Sequence, residues 1–170
     1  MIEDDQILLR TPVQSDLACL LKWENDIENW QVSGTSRPFS EELMTQFIAS
    51  DHDLVKHQQL RLMIVLRTSK EVVGTLDLFE YNQEHGTVGI GILIGEKLHR
   101  NKGLAKKAIE LLLMKAKETW ALKAVIASMF VNNKASLSLF KSLGFEHIKT
   151  KVSANSIDGK EEELVMQYTL

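Results

Sequence analysis

The stretch GIGILIGEKLHRNKGLAKKAIELLL, Gly89 to Leu113, decides the fold. Its first part is an unbroken apolar run bounded by glycines, which reads as a strand buried on both faces. Its last part repeats apolar residues at Ala105, Ala108, Ile109, Leu112 and, further on, Ala116, one face of a helix that begins at Gly103. Between them lies a basic loop carrying Arg100 and Lys102, with Lys106 in the first helical turn. A helix start already exposes unpaired N–H groups and the positive end of a dipole, so extra cations there are unfavourable unless an anion sits among them. Strand, glycine loop and helix start together form a candidate phosphate site, because successive N–H groups converge and Gly103 admits close approach to the backbone. A solvated basic loop is the competing reading.

Outward from this unit, the elements alternate in a regular order. ILLR (Ile7 to Arg10) reads as a strand, and a helix capped at Ser15 follows with Leu17, Leu20 and Leu21 on one face. PFSEELMTQFI starts a second helix, with Ser40 as cap and Glu41 and Glu42 in the first turn. LRLMIVLR and EVVGTLDLFEY are strands separated by TSKE. After the central unit come the strand KAVIASMFV, the short helix NKASLSLFKSLG ending at Gly144, and two strands around SIDGKEEE, where Asp158-Gly159 signals a hairpin turn. The order predicts an α/β (α+β) fold in which a mixed, mostly antiparallel sheet of about seven strands carries helices on both faces. No linker or repeat divides the chain, so residues 1–170 are expected to form one domain.

Composition excludes several classes. Of 170 residues, 44% are hydrophobic and 25% charged, a balance that can build a sizeable core and is foreign to disordered tails. A net charge of −3 leaves no global positive field for nucleic acid. The apolar runs are too short to span a bilayer, and MIEDDQ lacks the basic-then-apolar pattern of an export signal. With a single cysteine, Cys19, no internal disulfide can form, so a cytoplasmic location is expected. Cys19 lies on the apolar side of its helix and reads as a core thiol. The five histidines show no i, i+4 pair and no cysteine partner, so no metal is expected. GIGILIG is not a dinucleotide fingerprint, because its third glycine falls one position late and the run is itself a strand.

Arg100-Asn101-Lys102-Gly103-Leu104-Ala105 after a strand, followed about thirty residues later by NKASLSLFKSLGF (Asn133 to Phe145), resembles the two signatures of the GNAT acetyltransferases, and the likeness runs along the whole chain. Within that family it is most similar to the spermidine/diamine and ribosomal-protein N-acetyltransferase branch. The resemblance implies acetyl-CoA as cosubstrate, with Arg100 to Ala105 around its pyrophosphate and the backbone of Gly91, Ile92, Leu93 and Ile94 along its pantetheine arm. It implies that Asn133 and Ser136 contact that arm or fix the turn; an ordinary helix N-cap explains Asn133 as well.

Two positions depart from the family pattern. Phe140 stands where a tyrosine usually protonates the leaving thiolate, and Gly89 stands where polyamine-acetylating relatives often carry a glutamate. That leaves the base unassigned, with Glu80 and Glu96 at strand ends as candidates that also read as solvated acids. WENDIENW and ASDHDL put acids where the family walls its acceptor pocket, and Glu24, Asp26 and Glu28 are expected to share one face and attract a cationic amine. The function expected is acetyl transfer to a small-molecule amine by direct attack, first a diamine or polyamine, then a protein N-terminus or lysine, then an aminoglycoside. A non-catalytic acyl-CoA sensor is the alternative of a different class, and a homo-oligomer is compatible with any of these.

Overall fold

The computed structural model describes residues 2–33, 37–152 and 161–170. Alternation along its strands builds two cores, one on each face of a twisted sheet. The strands are β1 (Ile2–Glu3), β2 (Ile7–Arg10), β3 (Leu60–Leu66), β4 (Val72–Asn82), β5 (Thr87–Ile94), β6 (Ala124–Phe130), β7 (Glu146–Val152) and β8 (Glu162–Thr169). The helices are α1 (Leu17–Glu24), α2 (Ile27–Ser33), α3 (Glu41–Ala49), α4 (Leu54–His57), α5 (Leu104–Trp120) and α6 (Lys134–Ser142). In space the strands run β1-β2-β3-β4-β5-β6-β8-β7. Every neighbouring pair is antiparallel except β5 and β6.

Leu62 and Ile64 of β3, Leu76 and Leu78 of β4, and Val88 and Ile90 of β5 form one core with Ala108, Ile109, Leu112 and Ala116 of α5. Met63 and Val65 point the other way, onto Leu20 and Trp23 of α1 and Met44 and Ile48 of α3. The mixed sheet with helices on both faces is as expected, with eight strands among the described residues where about seven were anticipated. The extra one, β1, is two residues paired to β2 and too short to leave a pattern. The short helices α2 and α4 are likewise additions.

Local signals held where a side chain could act within a few residues. Ser40 accepts from Leu43 N at 3.2 Å and caps α3, and Gly144 takes φ +87° after α6. Ser15 is not the cap of α1. It lies inside a 3-10 turn, Gln14–Asp16, and Asp16 is the N-cap residue. The buried Asp16 carboxylate accepts from Val13 N at 2.8 Å and from both terminal nitrogens of Arg10 at 2.6 and 2.9 Å. The β7–β8 pairing agrees with a hairpin, while its turn at Asp158-Gly159 lies outside the described residues.

Candidate active site

The decisive feature is where two strands part. β5 and β6 pair in parallel at Thr87–Ala124, Val88–Val125 and Gly89–Ile126, and their ladder ends there. Beyond it β5 continues against β4 alone, to Ile94, and β6 continues against β8 alone, to Phe130. The strand expected to be buried on both faces is therefore buried only through Ile90, and residues 91–94 are half-exposed. Their backbone groups that point away from β4 have lost a strand partner, which leaves donors and acceptors for another extended chain.

The gap opens into a cleft of about 980 Å³. Ile90, Gly91, Ile92 and Leu93 line one side of it, and Ser128, Met129 and Phe130 the other; Asn133, Ser136 and Phe140 of the α6 region also line it. Asn133 is the cap of α6, its side chain accepting from Ser136 N at 3.1 Å. Phe140 is buried and meets Phe145 edge-on, with ring centroids 4.9 Å apart.

The loop after β5 has the geometry of an anion site. Asn101 (φ +60°) and Gly103 (φ +78°) are both left-handed, and a Cβ added to Gly103 would meet nothing within 4 Å. The first intrahelical bond of α5 is Lys107 N to Gly103 O at 3.0 Å, so the N–H groups of Leu104, Ala105 and Lys106 lie in the unpaired first turn. Lys102 is exposed. Arg100 is turned inward instead, its Nε donating to Ile94 O at 2.9 Å and its Nη2 lying 3.4 Å from Asn29 Oδ1. It braces the end of β5 and is not a mobile charge. The loop residues Arg100 to Ala105 do not line the cleft; they follow the strand that forms its wall.

The acids divide differently from the expectation. Glu24 lines the cleft and accepts from Arg61 Nη1. Asp26 accepts from Glu28 N at 3.0 Å, Glu28 pairs with Lys97 at 2.7 Å, and neither lines the cleft. The three therefore share no face toward it. Glu80 is exposed at φ +52° in a β-bulge and is not part of the cleft wall. Glu96 is also outside it, accepting from Lys22 Nζ at 2.7 Å and Trp23 Nε1 at 3.1 Å. The Lys22 bond outweighs partial desolvation and holds the Glu96 carboxyl below its ordinary range. A clamped surface acid of this kind joins α1 to the end of β5.

Three residues of the cleft wall, Arg61, Asp77 and Phe79, were not singled out by the sequence. Arg61 of β3 donates to both Asp77 oxygens of β4, from Nε at 2.6 Å and Nη2 at 3.1 Å, and its guanidinium carbon lies 5.6 Å from the Phe47 ring centroid. Burial pulls the Arg61 guanidinium down, yet Asp77 and then Glu24 outweigh it and hold its pKa above the ordinary value. Phe79 lies over Gly89 and lines the cleft. The available signal was the charge itself: Arg61 and Asp77 each interrupt an otherwise apolar strand run. Among the described residues, no group of three or more His, Cys, Asp or Glu is gathered to hold a metal ion, and no helix is long and apolar enough to cross a membrane.

A sheet that splits after Gly89, a left-handed glycine loop behind the split and a capped helix across it define an acyl-CoA-type transferase fold. The family description "Acetyltransferase (GNAT) domain" matches residues 6–146, and the chain belongs to the GNAT acetyltransferase family. Members of that family move an acetyl group from acetyl-CoA to an amine. An uncharacterized protein of Methanocaldococcus jannaschii is 28% identical over 171 residues, covering 99% of this chain and 32% of that protein. An N-acetyltransferase 9-like protein of Dictyostelium discoideum is 31% identical over 83 residues, covering 46% of this chain and 39% of that protein. The match thus spans about a third to two fifths of the length of these curated relatives. Among solved structures, spermidine N-acetyltransferase from Vibrio cholerae, in complex with CoA and spermine, superposes with a TM-score of 0.83 at 20% identity, covering 98% of this chain and 96% of that one.

Proposed function

We propose that residues 1–170 form one acetyltransferase domain that moves acetyl from acetyl-CoA to a primary amine by direct attack, and that the acceptor is a diamine or polyamine. The observation that carries the reading is the divergence of β5 from β6 beyond Gly89 and Ile126. In this reading the pantetheine arm pairs with the backbone of Gly91 to Ile94 that β6 no longer covers, alongside the Arg100 bond to Ile94 O. The pyrophosphate sits at the unpaired N–H groups of Leu104, Ala105 and Lys106, with Lys102 adding charge from solvent. Asn133 and Ser136 edge the arm where α6 begins.

Holding both reactants in one cleft supplies much of the rate, so modest acid–base machinery suffices. Phe140 cannot donate a proton, and the leaving thiolate, whose conjugate acid has a pKa near ~8.5, takes one from water. Glu24 and Asp77 flank Arg61 in the cleft wall, two carboxylates against one guanidinium, and the one negative charge the three retain suits a cationic amine. Self-association belongs to the same reading, since the Vibrio cholerae spermidine enzyme is dodecameric, and the lone cysteine fits a cytoplasmic setting.

The test is CoA-thiol release from acetyl-CoA against a panel of diamines, polyamines, monoamines, peptides with free N-termini or lysines, and aminoglycosides. Diamines or polyamines should show the highest kcat/KM. Phe140 favours one second reading, an acyl-CoA sensor, and tight acetyl-CoA binding without thiol release for any amine would establish that instead.

A further inference from the structure

A row of three residues crosses the sheet at the point where it splits. Arg61 of β3, Asp77 of β4 and Gly91 of β5 are cross-strand partners in one register. Partners in register project to the same face, here the face of α1 and α3. Gly91 is the second residue beyond the last β5–β6 pair and has no side chain to cover its neighbour. A Cβ placed on it would lie 3.9 Å from Asp77 Cβ and 3.6 Å from Phe79 Cε1. The Asp77 carboxylate therefore borders the cleft beside the freed backbone of β5. Arg61 grips both its oxygens, and each oxygen keeps a second lone pair.

Other titratable groups of the cleft stand elsewhere. His52 packs against Phe47 and has Nε2 3.2 Å from Ile48 O. Asp51 pairs with Lys56 at 2.7 Å, and His57 lies 3.6 Å from the same Asp51 oxygen. Glu163 stands on β8, beyond β6, 3.3 Å from Lys151. Glu24 reaches the row only through Arg61.

Resting on the amine-acetylation reading above, we propose that Asp77 is the catalytic carboxylate that binds the attacking amine and takes its proton, with Arg61 as its positioning residue. The neutral amine nitrogen forms a bond to the thioester carbonyl carbon, and the carbonyl π pair moves to oxygen. As that pair returns, the C–S bond breaks and its electrons leave with sulfur as the thiolate. The nitrogen has become positively charged, and one of its protons passes to Asp77, directly or through one water, and then to solvent. The thiolate is protonated by water. A carboxylate fixed beside the nitrogen also lowers the cost of the charge that develops on it.

The experiment uses the full chain with the best amine of the panel. Asp77→Ala should lower kcat about 10²-fold or more, the usual effect of losing a positioned base, with calorimetric CoA affinity unchanged within about twofold. Formate, a small carboxylate that Arg61 can seat in the vacated space, should restore kcat about tenfold, and chloride at equal ionic strength should not. Gly91→Ala is the second variant. Its methyl makes ordinary contacts, so the fold is kept, but it screens Asp77 from the cleft and should cost about tenfold in kcat at saturating acetyl-CoA. Wild-type kcat in Asp77→Ala overturns the proposal, as does wild-type kcat in Gly91→Ala if Asp77→Ala does not fold. A loss in Asp77→Ala that formate leaves untouched and that CoA affinity follows in parallel also overturns it, as plain structural damage. Amine turnover by the unmodified protein is measured alongside: if it is absent, acetyl transfer to amines fails, whereas turnover with an indifferent Asp77 condemns the residue alone.

Discussion

Phe79 of β4 and Gly89 of β5 are cross-strand partners, and the Phe79 ring occupies the space that any side chain on Gly89 would need. The ring thus fills the place of the glutamate that the resemblance to polyamine-acetylating relatives leads one to expect at this position. A carboxylate cannot be restored there while the ring remains. Gly89→Glu should destabilise the fold by about 1–3 kcal/mol, the usual range for overpacking. Adding Phe79→Ala should recover part of that loss, with a coupling of about 1 kcal/mol. Urea unfolding of the two single variants and the double variant measures it, and additive effects would contradict the steric explanation.

The phosphate loop should respond to its backbone more than to its charges. Gly103 sits at φ +78°, a conformation that costs other residues about 1–2 kcal/mol, and a β-branched side chain would also crowd a bound phosphate. Gly103→Val should weaken CoA binding more than tenfold by calorimetry. Lys102→Ala removes an exposed charge and should cost only about two- to threefold, since such charges contribute about 0.2–1 kcal/mol. Equal effects would remove the backbone from the explanation.

Recognition of a cationic tail should depend on Glu24 and not on its neighbours in sequence. Glu24→Gln brings the Arg61 group from one negative charge to none, and should raise KM for a diamine about three- to tenfold. A monoamine of equal length should be indifferent. Asp26→Asn and Glu28→Gln act outside the cleft, and both KM values should stay within about twofold. The Glu24 effect should shrink as salt rises, because the Debye length is only ~8 Å at physiological ionic strength.

Phe140→Tyr tests whether leaving-group protonation limits turnover. Phe140 is buried yet lines the cleft, so the substitution introduces a hydroxyl at the cleft wall. The expected outcome is a higher kcat with CoA affinity nearly unchanged. A lower kcat at unchanged stability would show that solvent already fills this role better.

Cys19 should be inert. Burial first, and then the negative charge of Asp16, push its thiol up to about 11, and its Sγ donates to Asp16 O at 3.1 Å. Four units above neutrality leave roughly one thiolate in ten thousand at pH 7. Iodoacetamide labelling should therefore run on the order of a hundredfold slower than for a free thiol. It should accelerate as pH climbs toward 11, and reach the free-thiol rate in denaturant. Fast labelling of the folded protein would contradict the half-buried setting beside Asp16.

The sequence by itself determined whatever depends on neighbours within a turn or two. The strand–loop–helix of residues 89–113, the cap at Ser40, the apolar face of α5 and the cap of α6 at Asn133 were legible because periodicity and capping act over three or four residues. The start of α1 departs from the local signal at Ser15: Asp16 stands at the N-cap, its carboxylate held by Val13 N and by Arg10 of the preceding strand. Tertiary structure alone decided the site. Arg61 meets Asp77 across 16 residues and Glu24 across 37, a juxtaposition set by register and helix packing. Asp26 and Glu28 lie close to Glu24 in the chain yet outside the cleft, since α1 ends at Glu24 and the chain turns away before α2. The split between β5 and β6 is likewise a property of pairing: each strand keeps one partner while losing the other, and no pattern within a single strand records where that loss begins.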